Sequence, residues 1–395
     1  MEISVEEARA LLTSLVHPLD EIESVPLSGA LGRVLAADLV AAIDVPPHDN
    51  SAMDGYAFAS TSPSPLRVVG VAHAGKPFTT AIGPGECARI LTGAMVPAGA
   101  DAVVMQERTR RDGDVVHVDA PPKPGQNIRR AGEDLARGLL VLQAGRVLRA
   151  ADLGAAASLG LSSLSVRRRP RIGFFTTGDE LRPPGAALAP GQLYDSNGPL
   201  LQALISSAGF DAVDLGHVPD ESARIEALVT GAAPSLDAVV STGGVAVGDA
   251  DCVQSALARW GVRSVEVAMK PGRHLAVGAL DRCAFFGLPG NPVAALATFD
   301  QLVLHALRAM AGIASAPRLV VRARATTALR NMQARVDFQR GVVTREADGS
   351  LVVRSTGPQG AGILRSVLEA NCFIIVAPSA GELPAGSVVD VELFE

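Results

Sequence analysis

The sequence predicts a multi-domain protein, an α/β sheet domain accompanied by β-rich segments. Three observations predict it. Apolar runs alternate with helical patterns from residue 171 to residue 311. Three Gly-containing loops each follow an apolar run: Phe174-Phe-Thr-Thr-Gly-Asp-Glu180, Val239-Val-Ser-Thr-Gly-Gly-Val-Ala-Val-Gly-Asp-Ala-Asp251 and Phe285-Phe-Gly-Leu-Pro-Gly-Asn-Pro292. Between residues 41 and 140, and again after Pro317, short apolar runs alternate with Pro/Gly turns, the texture of small β-domains.

The elements follow in order. Ser4-Val-Glu-Glu7 is a capping box, with Ala8, Leu11, Leu12 and Leu15 at helical spacing behind it. Residues 20–40 read as a strand and a short helix. Apolar runs at 66–72, 88–92, 102–106 and 115–118 give strands of a β-domain. An Ala-rich helix spans Ala150–Leu159, and pairing of residues 139–168 with 20–40 would make the β-domain an insertion. After the boundary Arg167-Arg-Arg-Pro170 come a strand at 171–176 and a helix from Asn197, with Pro199 early in it and Gly209 past its end. Strands at 211–215, 237–241, 263–268 and 283–287 and helices at 221–231, 251–259 and 292–311 complete a sheet with helices on both faces. Strands at 318–325, 336–345, 350–354, 372–376 and 388–393 form a separate C-terminal β-domain.

Composition narrows the function. The 395 residues are 48% hydrophobic, with 40 Gly and 26 Pro, long enough for two to four cored domains. A net charge of −6 argues against general nucleic-acid or membrane binding, while leaving room for a local basic pocket. Cys87, Cys252, Cys283 and Cys372 are scattered with no CxxC pair, so neither a zinc site nor a disulfide framework is expected and a reducing compartment fits. The start Met-Glu-Ile-Ser lacks the regions of a signal peptide, and no uninterrupted apolar run reaches membrane-spanning length. A soluble, cytoplasmic protein is expected.

The loops suggest anion chemistry. Pro292 suits the first turn of a helix, and the free backbone donors before it make an anion site. An ordinary βα turn is the competing reading. In a parallel sheet, loops of this kind gather at one edge, where ligands bind. Gly243 and Gly244 let backbone approach a ligand, Ser241 and Thr242 can donate to oxyanions, and Asp249 and Asp251 offer hard oxygen ligands for Mg²⁺; equally, Asp251 caps the next helix. Thr177-Gly-Asp-Glu180 reads either as a site loop or as a polar turn. Lys270-Pro-Gly-Arg-His274 suits an anionic substrate or is a solvated basic turn. Asp49-Asn-Ser-Ala-Met-Asp-Gly-Tyr56, Leu91-Thr-Gly-Ala-Met-Val-Pro97 and Gln126-Asn-Ile-Arg-Arg-Ala-Gly-Glu-Asp134 are, taken singly, turns and ion pairs. No Ser-His-Asp or Cys-His set is evident, and the seven histidines form no metal-spaced pair.

In this order, together with Thr242-Gly-Gly-Val245, Gly287-Leu-Pro-Gly-Asn-Pro292 and Asp337-Phe-Gln-Arg-Gly341, the motifs resemble the molybdopterin molybdenumtransferase family, MoeA, and the E domain of gephyrin. The resemblance covers essentially the whole chain. It implies four domains: a molybdopterin-binding α/β domain at 1–20 and 169–317, resembling the pterin adenylyltransferases (MogA-like); an elongated linking domain at 21–40 and 139–168; an inserted β-domain at 41–138; and a C-terminal β-barrel at 318–395. It also implies an elongated homodimer whose cleft joins the α/β domain of one chain to the inserted domain of the other. The implied reaction is Mg²⁺-dependent cleavage of adenylylated molybdopterin, with AMP leaving and molybdate placed on the dithiolene sulfurs.

The implied catalytic residues are Asp54, Thr92, Asp134, Glu180, Asp220 and Asp251, with Glu180, Asp249 and Asp251 on the metal and Asp134 supporting Arg129 and Arg130. The implied cofactor-binding set is Thr177, Gly178, Ser241, Thr242, Gly243, Gly244, Lys270, Arg273, Pro289, Gly290, Asn291, Pro292 and Arg340. Implied partners are a pterin adenylyltransferase and the molybdoenzymes, or their chaperones, that accept the cofactor. No nucleic acid or membrane is implied.

The chain departs from the family at the oxoanion side. Glu266 stands where the family usually has Lys, Arg273-His274 replaces Lys-Pro, Ala294 replaces Ser, and Gly357-Pro-Gln-Gly-Ala361 replaces Gly-His-Gln-Gly-Ser. Losing two hydroxyls and a cation is expected to weaken oxoanion binding, since each charge-assisted bond is worth roughly 1.5–3 kcal/mol. Arg273, Arg335 and Arg340 are the expected compensation. Besides a molybdenumtransferase, the sequence admits a paralogue that carries the cofactor without efficient molybdate insertion or prefers tungstate, and a gephyrin-like scaffold. An independent pterin adenylyltransferase would leave the added β-domains unexplained.

Overall fold

The computed structural model describes residues 2–245, 252–314 and 318–394. The chain divides into two compact units, one of residues 1–23, 32–34 and 166–395 and one of residues 24–31 and 35–165.

The larger unit is built on a six-stranded sheet. Its spatial order is Asp211–Val218, Arg171–Thr177, Ala238–Thr242, Cys283–Leu288, His274–Leu280, Arg263–Glu266. The first four strands are mutually parallel, His274–Leu280 runs antiparallel to them, and the edge strand Arg263–Glu266 pairs antiparallel with it. Neighbouring residues in the parallel strands are apolar because both faces are covered. Phe174, Val240 and Phe286 point into one core, with Leu12, Leu201, Ile205 and Leu302 from the helices on that side. Phe175, Val239 and Phe285 point into the other, with Ile225, Val229 and Leu257. Alternation along a strand makes each Phe-Phe or Val-Val pair serve both layers.

The helix Val5–Ser14 carries both bonds of the capping box, Glu7 N–H to Ser4 Oγ at 3.1 Å and Ser4 N–H to Glu7 Oε2 at 2.7 Å. Three further helices, Asn197–Ser207, Ser222–Ala232 and Cys252–Leu257, match the helical patterns of the sequence. The expected helix at 292–311 is present as Pro292–Thr298, a π-helical turn Phe299–Val303, and Leu304–Met310. Residues Pro292–Met310 are long and apolar enough to cross a membrane by composition, but 72% of the stretch is buried inside the unit, so it is a core helix.

The sequence reading omitted the strand His274–Leu280. Its run Leu275–Leu280 is continuously apolar without polar alternation, and it follows a Pro-Gly turn, so no period announces it. It forms a hairpin with Cys283–Leu288 through Asp281 and Arg282, with Asp281 at φ +52°.

The C-terminal β-barrel is present. Val336–Arg345, Leu351–Ser355, Val320–Ala325, Val388–Leu393 and Cys372–Val376 pair in that order, and the last pairs back with the first. Closure leaves these five strands no open edge. Met269–Lys270 adds to the barrel sheet, in parallel with Val336–Asp337.

The smaller unit contains a six-stranded sheet in the order Ala102–Met105, Gly55–Phe58, Glu86–Ile90, Leu66–Ala72, Val115–Val118, Thr109–Asp112. Tyr56, Phe58, Leu66 and Val104 bury one face, while Ala57, Ile90 and Val103 bury the other. Leu39–Val40 pairs antiparallel with Leu140–Leu142, and Leu35 N–H donates to the Arg146 carbonyl at 2.9 Å. The helix Ala150–Ser158 follows.

Phe286 is fully buried in the first core. Phe286→Ala is expected to destabilise the larger unit by about 3–5 kcal/mol, read as a shift of the denaturant midpoint with the sheet's far-UV signal as probe.

Candidate functional site

Chain order and spatial order of the parallel strands differ in one informative way. The second strand, Asp211–Val218, lies on one side of the first, Arg171–Thr177; the third, Ala238–Thr242, lies on the other. The loops leaving the first and third strands therefore diverge, and a crevice opens at their carboxyl ends. A cavity of about 720 Å³ occupies that crevice. Thr177, Gly178, Gly243, Gly244 and Pro289 to Pro292 line it, with Glu180, Asp220, Lys270 and Arg273. Most of the expected α/β-domain site residues thus converge on one wall.

The glycines are required there. Gly243 has φ +93°, and a Cβ on it would stand 2.2 Å from the Thr177 carbonyl oxygen. Where they leave their strands, the backbones at Thr177 and Gly243 touch before the chains diverge, which a side chain at residue 243 would forbid. At Gly178 a Cβ would stand 2.8 Å from Glu180 Oε2, so the Glu180 carboxylate lies directly over this glycine.

Two carboxylates anchor the polar floor. Asp220 Oδ1 accepts from Thr177 Oγ1 at 2.6 Å and from Cys252 Sγ at 3.4 Å. Burial, followed by the Asp220 charge, pushes the Cys252 thiol up to about 12, so it serves as a proton donor to Asp220 and not as a thiolate. Asp195, which the sequence reading missed, accepts from Thr176 Oγ1 at 2.6 Å and from the Asn197 and Gly198 amides at 3.0 Å. Asn197 Nδ2 donates to the Gly290 carbonyl at 2.7 Å and so holds the Pro289–Pro292 loop. The signal was available: Asp195-Ser-Asn197 stands directly before the helix, where Asx residues bond local amides.

The barrel closes the other wall. Lys270 Nζ lies 3.1 Å from Asp337 Oδ2, and Gln359, Gly360 and Ala361 line the cavity. The Val293 amide donates to the Ala361 carbonyl at 3.0 Å. Ala294 and Ala361, the two positions lacking the expected hydroxyls, both line the cavity.

Several expected residues are placed differently. Ser241 and Thr242 are buried in their strand and are absent from the cavity lining; neither hydroxyl has a partner among the described residues. As consecutive strand residues they point to opposite faces, both covered, and of the two glycine amides that follow, Gly243 N–H already donates to the Leu288 carbonyl at 3.1 Å, which leaves Gly244 to face the crevice.

Arg340 is also absent from the lining and is fully buried. Its amide donates to Gln359 Oε1 at 2.7 Å, its Nε to Ser366 Oγ at 3.1 Å and its Nη2 to the Gly360 carbonyl at 3.3 Å. It therefore braces the 357–361 loop from behind. Burial lowers its pKa, with the Asp337 charge opposing.

Arg335 pairs with Glu2 and is likewise absent from the lining, so it supplies no free charge to replace the lost lysine. Asp249 and Asp251 lie outside the described residues.

In the smaller unit, Asp54 Oδ1 accepts from both the amide and the hydroxyl of Thr92, each at 2.7 Å. The Thr92 amide, followed by its hydroxyl, holds the Asp54 carboxyl below the usual carboxylate range. Arg130 is not supported by Asp134. Its Nη1 pairs with Asp49 Oδ2 at 2.5 Å, and Asp49 Oδ1 accepts the Ala131 amide at 2.9 Å. The Asp134 amide donates to the Val45 carbonyl, which keeps that loop in place.

Among the described residues no group of three His, Cys, Asp or Glu side chains is arranged to hold a metal. Mg²⁺ uses one or two carboxylates completed by water and substrate phosphates, and Glu180 and Asp220, both on the cavity wall, meet that smaller demand.

Asp195→Ala leaves the buried Thr176 hydroxyl without its acceptor. A loss of about 1–3 kcal/mol in unfolding free energy is expected, measured by denaturation. The Asp54–Thr92 tie has a lowered folded-state pKa, so its contribution is fully present above the ordinary carboxylate range and is lost as pH falls through the lowered value. The Thr92 amide resonance is expected to shift only below about pH 4 and to show no such transition in Asp54→Asn.

Comparison with known proteins agrees with this architecture. Residues 3–160 match the MoeA N-terminal region (domain I and II), 173–309 the "Probable molybdopterin binding domain", and 322–394 the MoeA C-terminal region (domain IV). The chain is 38% identical over 400 residues to the molybdopterin molybdenumtransferase of Haemophilus influenzae, covering 99% of this chain and 98% of that protein. It is 35% identical over 403 residues to molybdopterin molybdenumtransferase 2 of Mycobacterium tuberculosis, covering 98% of each. The crystal structure of the molybdopterin biosynthesis MoeA protein from Pyrococcus horikoshii superposes with a TM-score of 0.86 at 29% identity, over 100% of both chains. The chain belongs to the molybdopterin molybdenumtransferase (MoeA) family.

Proposed function

We propose that this protein inserts molybdate into adenylylated molybdopterin with release of AMP, in a Mg²⁺-dependent step of molybdenum cofactor biosynthesis. One observation carries the reading. A single cavity joins backbone donors and carboxylates at the strand ends to basic side chains at the barrel side. The first set suits a phosphoanhydride; the second suits a tetrahedral oxoanion.

The chain's own groups divide the work. Gly244 and the Pro289–Pro292 loop hold phosphate and pterin through backbone, with Gly243 N–H tied to the Leu288 carbonyl to fix the two loops together and the start of the Pro292 helix favouring negative charge. Glu180 and Asp220 hold the cation, with Asp220 fixed by Thr177. Mg²⁺ bound there neutralises phosphate charge and polarises the anhydride. Without it these carboxylates would repel both anionic substrates. Lys270, positioned by Asp337, faces the oxoanion substrate. Arg340 keeps the 357–361 loop in place behind it.

The proposal includes a cytoplasmic homodimer in which Asp54 and Thr92 act from the opposite protomer. A pterin adenylyltransferase supplies the substrate, and molybdoenzymes or their chaperones accept the product.

Ala294 and Ala361 favour a second reading, a paralogue that binds the same pterin but inserts molybdate poorly or prefers tungstate. Both positions stand on the cavity wall without a hydroxyl.

Purified protein given adenylylated molybdopterin, Mg²⁺ and molybdate is expected to release AMP and yield metallated cofactor; AMP release without metallation selects the paralogue. Glu180→Gln is expected to slow AMP release by at least about 100-fold. Mixing inactive Asp54→Asn and Glu180→Gln chains is expected to restore partial activity through mixed dimers, and a failure to do so counts against a shared site. The double variant Ala294→Ser, Ala361→Ser is expected to lower the KM for molybdate about tenfold or more.

A further inference from the structure

The basic side chains on the cavity wall are Lys270, Arg273 and His274, and each already faces a carboxylate of this chain. Arg273 is held twice. Its Nε lies 2.6 Å from Glu2 Oε1, and its Nη2 donates to Glu266 Oε2 at 3.1 Å. His274 Nδ1 lies 3.8 Å from the other Glu266 oxygen. Backbone pairing places these groups. Ile3 N–H donates to the Glu266 carbonyl at 2.9 Å, and Ala268 N–H donates to the Ile3 carbonyl at 2.8 Å. The segment carrying Glu2 is thereby docked against the strand carrying Glu266.

The two carboxylates are not equivalent. Glu2 is also held by Arg335, whose Nε donates to Oε1 and Oε2 at 2.8 and 3.0 Å, and this contact pulls its pKa below the usual carboxylate range. If Arg273 turns to an incoming anion, Glu2 keeps Arg335. Glu266 has no second arginine in direct contact among the described residues; His274, charged only when protonated, and the more distant charge of Arg335 remain. The larger share of the penalty of freeing Arg273 therefore falls on Glu266, which loses its only direct arginine contact among the described residues.

We propose that Glu266 is a specificity-determining residue, a built-in counter-anion that competes with the tetrahedral oxoanion for Arg273 and so sets the oxoanion affinity of the cleft. This rests on reading the cleft as an oxoanion-processing site. It assigns the weak side of that site to a charge contact as well as to missing hydroxyls. Glu266 is a positioning residue and touches no substrate. The Glu266 side chain is 36% exposed and that of Arg273 39%, so solvent screens the pair and the effect is graded, not absolute.

The test is a charge series at one position, read by calorimetric titration with sodium molybdate in the absence of pterin. Glu266→Asp keeps the charge and is expected to bind like the parent protein. Glu266→Gln is expected to bind about fivefold more tightly, and Glu266→Lys more tightly still. In turnover the gain is expected in the KM for molybdate and not in kcat. A purely structural role would not order affinity by charge, and thermal unfolding of each variant separates misfolding from binding. Unchanged or weaker affinity in both folded Glu266→Gln and Glu266→Lys overturns the proposal, as does a Glu266→Asp variant that behaves like Glu266→Gln. Because titration needs no turnover, a parent protein that releases no AMP would refute the transferase reading while the charge series still decides the role of Glu266.

Discussion

The parallel pairing of Arg171–Thr177 with Ala238–Thr242, and of that strand with Cys283–Leu288, is the constraint on which the rest depends. Parallel strands end at the same edge, so the three loops that follow them must share it. The strand order then sends the chain leaving Arg171–Thr177 and the chain leaving Ala238–Thr242 to opposite sides and leaves room for a ligand. Both faces of the strands must be apolar to hold helices on two sides, which is why consecutive Phe and Val residues mark them. One hydrogen-bond pattern thus determines the core composition, the cavity and the loop chemistry together.

Close approach of backbones is the second requirement. Gly243 packs its Cα against the Thr177 carbonyl, and Gly290 lies within reach of Gly243. Where backbones are this near, amide donors can point at a ligand and no side chain intervenes. Charge at the strand ends comes from Glu180 and Asp220, while Asp195 and Asn197 spend their polar groups on bracing the loops. Asp220 shares the bracing role through Thr177 and Cys252, so carboxylates at this edge supply charge and scaffold together.

The basic side of the cavity is organised by compensation. Lys270 meets Asp337, and Arg273 meets Glu2 and Glu266. A cluster of basic groups without carboxylates would repel itself in the absence of substrate. With them each cation on this wall has a partner within the chain. Arg340 illustrates the opposite solution. It is buried completely, its Nε and Nη2 bonded to Ser366 and Gly360 while Nη1 has no partner among the described residues, so its charge supports a loop away from the cavity lining.

Local sequence determined much of this protein. The capping box at Ser4, the Pro292 helix start, the strand texture after Pro317 and the three glycine loops were all legible, because capping, turn geometry and strand alternation act within a few residues. The motifs in register were enough to name the family. Tertiary structure alone decided which polar residues face the cavity. Ser241 and Thr242 sit beside the glycines in sequence but are turned into the sheet by alternation. Asp49, 81 residues away from Arg130, takes the place expected of Asp134. Glu2 and Arg335 meet across 333 residues and claim a cation expected to be free. Ion pairs and burial depend on which distant segments the fold brings together, and no local pattern encodes that.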